Sequence, residues 1–172
     1  WNVAGSSNRI RRMKELGFSV LAIDYRGFGR SSAGLPSEAT AAEDARAAWA
    51  WLAQQQPNKP RYIFGHSLGG AIAIDLARQV QDEQGTIVEG TFTSIPEVVS
   101  TFKWGWLPVS GLITQRFESV RKVAEIGSPL LVVHGSEDSL IQPSLGRKLY
   151  EAAAEPKQFV LVEGGSHHNT NA

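Results

Sequence analysis

The segment Arg61-Tyr-Ile-Phe-Gly-His-Ser-Leu-Gly-Gly70 runs from a short β-prone stretch through a G-x-S-x-G turn into a helical pattern. Strand, tight turn and helix in that order put the serine on a sharp bend in a strained backbone conformation, with its hydroxyl lifted above the sheet. Side chains two before and two after the serine would collide there, so Gly65 and Gly69 are expected to leave room. The turn also places the Leu68 N–H at a helix N-terminus, aimed to receive negative charge.

The rest of the chain alternates in the same way. Five β-rich runs stand out: Phe18–Ile23, Arg61–Phe64, Thr86–Val88, Leu130–Val133 and Gln158–Val162. They are continuous rather than alternating, as in parallel strands buried on both faces. Helices are expected up to Leu16 with Gly17 as the stop, from Ser37 to Gln56, after Ser67, and from Pro143. Either Ser37 or Thr40 caps the second, Thr40 with Glu43 fitting a capping box. Its expected inner stripe is Ala45, Ala48, Trp49 and Leu52. The fold class is therefore α/β, with a mostly parallel sheet of about five strands flanked by helices and right-handed crossovers. The whole of 1–172 reads as one domain, with residues 90–128 an irregular, aromatic-rich, cap-like segment inside it.

Composition narrows the function. The chain has 172 residues, with 17 Lys plus Arg against 17 Asp plus Glu, a formal charge of zero. No basic excess exists to neutralise phosphates, so a nucleic-acid partner is not expected. Hydrophobic residues at 42% and charged residues at 20% exclude wholesale disorder. There is no cysteine, hence no disulfide, thiolate metal site or cysteine nucleophile. The four histidines lack ligand-like spacing, so no metal or cofactor is expected. No apolar run approaches the ~18 residues that span a bilayer.

A serine hydroxyl needs a base, and the base an orienting carboxylate. Where such an elbow carries a nucleophile, the order along the chain is serine, acid, histidine. Leu130-Leu-Val-Val-His-Gly-Ser-Glu-Asp138 supplies the acid, with Asp138 favoured and Glu137 the fallback. Gly164-Gly-Ser-His-His-Asn169 supplies two histidines. The candidate catalytic residues are Ser67, Asp138 and either His167 or His168, with Leu68 N–H as oxyanion donor. His66 is expected to pack beside the serine, and His134 to be a satisfied structural histidine. The aromatic stretch Phe92 to Phe117 either walls an acyl pocket or packs on itself over the core. The candidate pocket residues are His66, Phe92, Trp104 and Trp106.

These motifs resemble the α/β-hydrolase superfamily of serine hydrolases. Asp24-Tyr-Arg-Gly-Phe-Gly-Arg-Ser31 resembles its D-x-R-G-x-G-x-S loop, Gly65-His-Ser-Leu-Gly69 its elbow, His134-Gly-Ser-Glu-Asp138 its acid loop and Glu163-Gly-Gly-Ser-His167 its histidine loop. The group most resembled includes membrane-anchored α/β-hydrolase-domain proteins, some of them acyl-protein thioesterases. The resemblance favours His167 over His168 as the base. Asp24, by its position after the strand, is expected to be structural, holding the Arg26–Gly29 loop under the active site. It implies hydrolysis of a carboxylic ester or thioester, with a small-molecule or lipid-like acyl substrate and no cofactor. A peptidase, a cofactor-free perhydrolase or a non-catalytic binding module of the same fold are the alternatives. A serine at the elbow argues against dehalogenase or epoxide-hydrolase chemistry, which needs an aspartate there.

The family sheet has eight strands in the order 1-2-4-3-5-6-7-8. The five runs match the fourth to the eighth, so the chain is expected to be a fragment without the first three strands, the second oxyanion donor and the last helix, and inactive alone. The third strand normally lies between the fourth and fifth. Phe18–Ile23 and Arg61–Phe64 are then expected either about two ~4.8 Å spacings apart or collapsed together.

Overall fold

The computed structural model describes residues 3–25, 37–101 and 115–170. Trp104, Trp106 and the Arg26–Gly29 loop lie outside the described residues. The chain falls into two compact units, Trp1–Lys59 and Pro60–Ala172.

The first unit holds two helices. Helix α1, Ser7–Glu15, follows a 3₁₀ turn and ends at Gly17, whose φ is +97°. The Phe18 N–H reaches Met13 O at 3.0 Å and the Gly17 N–H reaches Lys14 O at 3.0 Å. This paired closure needs a left-handed residue at Gly17, which is why the helix stops where the glycine stands. Helix α2, Glu38–Gln55, is capped by Ser37, whose hydroxyl accepts the Thr40 N–H at 3.1 Å. Of the two expected caps, Ser37 is the one used. The buried residues of α2 are Ala41, Ala45 and Trp49, while Ala48 and Leu52 are half-buried.

The second unit carries the sheet. Strands β1 (Tyr62–His66), β2 (Gly85–Glu89), β3 (Leu130–Gly135) and β4 (Lys157–Val162) run in the order β1-β2-β3-β4, all pairs parallel. Helix α3, Leu68–Gln79, joins β1 to β2 and packs on both; helix α4, Ile95–Thr101, follows β2; helix α5, Pro143–Ala152, joins β3 to β4 and packs on both. Two 3₁₀ turns, Ser119–Arg121 and Val123–Glu125, touch both α3 and α5. Strands β2 and β3 are buried almost throughout, with Val88 and Val132 fully enclosed. Helix α3 is buried on nearly every side, including Ile74 and Ala77. Burying each large aliphatic side chain stabilises by about 1.5–3 kcal/mol, so this helix and the two inner strands are the stable centre.

Among the described residues the sheet has four strands rather than five. Residues 18–25 carry no regular structure, so the expected strand Phe18–Ile23 is not formed. A strand exists through the ladder it makes with a neighbour. No other strand occurs among the described residues of the first unit, and the sheet of the second ends at β1. Phe18 and Leu21 are exposed, as are Tyr62 and Phe64 on β1.

Candidate active site

The elbow takes the strained geometry its sequence demands. Ser67 follows β1 directly, caps α3 and has φ 56° and ψ −122°, a backbone conformation that costs a serine about 1–3 kcal/mol. Three hydrogen bonds hold it there. The Ser67 N–H reaches Glu89 O at 2.9 Å, and the Ser67 carbonyl accepts from Gly70 N–H and from Thr91 Oγ1, each at 2.9 Å.

The two glycines of the motif are not equivalent. A Cβ on Gly65 would stand 2.2 Å from Gly69 O and 2.7 Å from Gly70 Cα, so strand and helix backbones touch there. A Cβ on Gly69 meets nothing within 4 Å. The expected collision therefore holds at Gly65 and not at Gly69. The second constrained glycine is Gly70, where a Cβ would come within 2.6 Å of Thr91.

Three loops at the carboxyl ends of the strands bring the polar side chains together. His167 Nε2 lies 3.2 Å from Ser67 Oγ, and His167 Nδ1 lies 2.8 Å from Asp138 Oδ2. All three residues are buried: Ser67 is 8% exposed, His167 5% and Asp138 4%. Glu137, the alternative acid, is exposed, and so is His168. The other carboxylate oxygen of Asp138 accepts the N–H groups of Leu140 at 3.0 Å and Ile141 at 2.8 Å. Burial alone would push the Asp138 carboxyl up. Hydrogen bonds from His134, His167 and the Ile141 N–H, with the charge of His167, outweigh it and hold the group well below the usual carboxylate range.

The acid and histidine loops are fastened to each other. The Glu137 N–H donates to Gly165 O at 2.9 Å, the Ser136 N–H to Val162 O at 2.9 Å, and the Gly164 N–H to Ser136 Oγ at 2.8 Å. A Cβ on Gly135 would stand 2.3 Å from Gly165 O, so these loops meet through bare backbone. Gly90, with φ +57°, faces the pair from the end of β2. A Cβ there would lie 3.4 Å from His167 Nδ1.

His66 ends β1, and its ring nitrogen Nε2 donates to the His167 carbonyl at 2.7 Å. The His66 and His167 ring centroids are 4.8 Å apart. Phe92 is only 2% exposed and sits in the core. Leu68 opens α3, so its N–H has no acceptor inside the helix. Asp24 is half-buried. Thr91, Gly90 and the contact of His134 with Asp138 were missed by sequence reasoning. Only Gly90, a glycine at a strand end, left a trace in the sequence.

The sequence profile of the serine aminopeptidase S33 hydrolases matches residues 5–122. The chain belongs to that family. This S33 hydrolase is 40% identical over 156 residues to an uncharacterised Mycobacterium tuberculosis protein, covering 90% of this chain and 54% of that one. It is 35% identical over 175 residues to the lysophosphatidylserine lipase ABHD12 of Danio rerio, covering 90% of this chain and 45% of the lipase. The chain thus spans about half the length of the curated relatives it matches. Among solved structures, the esterase domain of a Rhodothermus marinus protein superposes with a TM-score of 0.71 at 23% identity, over 99% of this chain and 73% of that one. A monoacylglycerol lipase from Paleococcus ferrophilus gives 0.71 at 18% identity, over 96% and 81%. The S33 hydrolase accordingly has an α/β-hydrolase fold and groups with ABHD-like serine hydrolases.

Proposed function

We propose that this S33 hydrolase cleaves a carboxylic ester or thioester with an apolar acyl group, through an acyl-enzyme on Ser67. The observation that carries the reading is the buried hydrogen-bonded row Ser67–His167–Asp138. In it Ser67 Oγ attacks the acyl carbon, and His167 Nε2 takes the hydroxyl proton and returns it to the leaving group. Asp138 holds Nδ1–H and balances the imidazolium that forms, and such general-base assistance is worth about 10²–10⁴ in rate. The Leu68 N–H receives the developing oxyanion. Water then releases the acyl group from the serine, with His167 again as base.

Relatives named lysophosphatidylserine lipase and monoacylglycerol lipase favour a lipid-like acyl substrate. The S33 profile spans residues on both compact units, which favours one hydrolase domain over two independent ones.

A fluorophosphonate probe tests the reading in a chain extended to the length of the curated relatives. The wild type is expected to be labelled and Ser67→Ala to stay unlabelled. Labelling that survives Ser67→Ala, or an unreactive wild type, sinks the assignment. Acyl esters of increasing chain length then define the acyl site. Cleavage of aminoacyl amides with all esters left intact would turn the reading to a peptidase.

A further inference from the structure

His134 stands at the end of β3, fully buried. Its Nε2 lies 2.8 Å from the Ile141 carbonyl oxygen. A carbonyl only accepts, so Nε2 carries the hydrogen. The same nitrogen lies 3.3 Å from Asp138 Oδ2, the oxygen that His167 also uses. The hydrogen is therefore divided between a main branch to Ile141 and a side branch to the carboxylate. Ile141 closes the circuit, since its own N–H donates to Asp138 Oδ1 at 2.8 Å.

The far side of the ring fixes this state. His134 Nδ1 is buried without a partner, and a Cβ on Gly146 of α5 would come within 2.4 Å of it. Gly146 makes room for the ring but offers no acceptor for a proton on Nδ1. Only the neutral ring with its proton on Nε2 suits both sides.

We propose that His134 is a positioning residue for Asp138: with Ile141 it locks the carboxylate's orientation, and by sharing Oδ2 it moderates the charge offered to His167. The proposal rests on the triad reading above. Its consequence is a pH effect with a definite sign. Loss of the His134 N–H leaves more negative charge on Oδ2, which favours the protonated His167. The base must be neutral to act, so the acid limb of activity moves to higher pH. Titratable rings that face His167 are His66 and His168, with ring centroids at 4.8 and 5.1 Å, and Glu89 at the end of β2 accepts from the Thr170 hydroxyl, three residues after His167. None of them is altered by a change at His134.

The test compares the pH dependence of Ser67 labelling in wild type, His134→Leu and His134→Gln of the full chain, with histidine ¹⁵N NMR of the same proteins. His134→Leu is expected to move the acid limb up by about 0.5 pH, a roughly threefold slower labelling at a fixed pH on that limb. A Gln amide nitrogen has two hydrogens, enough for Ile141 O and Asp138 Oδ2, so His134→Gln is expected to restore the wild-type limb. The NMR spectrum of the wild type is expected to show His134 protonated on Nε2. A folded His134→Leu protein with the wild-type limb overturns the proposal, and so does a proton on Nδ1 of His134. If His134→Leu does not fold, that tautomer decides alone. A wild type that does not label overturns the triad reading instead, and the His134 tautomer with the His167 titration midpoint then decides this one.

Discussion

Replacing each glycine of the elbow in turn separates what the motif says from what the backbone requires. In Gly65→Ala the new Cβ would lie 2.2 Å from Gly69 O. Non-bonded carbon contacts settle near 3.5–4.0 Å, so more than about 1 Å must be found by parting β1 from α3. The three atoms it would meet, Gly69 O, Gly69 C and Gly70 Cα, are all backbone and none is a flexible side-chain end. Overpacking of this kind costs about 1–3 kcal/mol, and a chain of this size loses roughly 2–4 °C of melting temperature per kcal/mol. The displacement falls on Ser67 itself, where a 1 Å misplacement costs about 10² in rate. Gly69→Ala meets no atom of a neighbouring segment within 4 Å and lies in the first turn of α3, where alanine is favoured over glycine by at most about 1 kcal/mol, the helix-interior value. Thermal melts and fluorophosphonate labelling rates of the two variants, side by side, give the answer. Gly65→Ala is expected to melt lower and label about a hundredfold more slowly, and Gly69→Ala to melt at or above the wild type. Equal damage from both would refute the reasoning, because the asymmetry follows only from the backbone contact at Gly65.

Asp138→Asn is expected to fold and to lower turnover by about 10⁴, since the amide no longer fixes the His167 tautomer; ester turnover measures it. Thr91→Val removes one of two donors to the Ser67 carbonyl and is expected to cost about 1 kcal/mol in urea titration, the remaining bond from Gly70 keeping the loss small. The Asp138 carboxyl is held below its ordinary value in the folded state. Its stabilising contribution is therefore complete above the unfolded carboxylate value of about 4 and is lost as pH falls below it. Urea unfolding at stepped pH is expected to show acid destabilisation in the wild type that Asp138→Asn lacks.

The alternation of β-rich runs and amphipathic stretches, the elbow, and the order serine, acid, histidine were all legible in the chain. The first two are local patterns: a period, a stop such as Gly17, or a turn whose chemistry lies within five residues; the order is that of three short motifs spread over residues 65–167. Those determined an α/β fold with a serine on a strand-to-helix turn. Adjacent candidates were not separable that way, because neighbours in sequence share their composition and their loop. Folding buried Asp138 and left Glu137 in solvent, and it turned His167 inward and His168 out. Phe18–Ile23 has the composition of a strand, yet residues 18–25 carry no regular structure, because composition alone does not make the ladder a strand needs. Thr91 beneath the elbow, His134 behind the carboxylate and the unequal demands on Gly65 and Gly69 are distances between segments far apart in the chain. Only the close packing of those segments fixes such distances, and no periodicity encodes them.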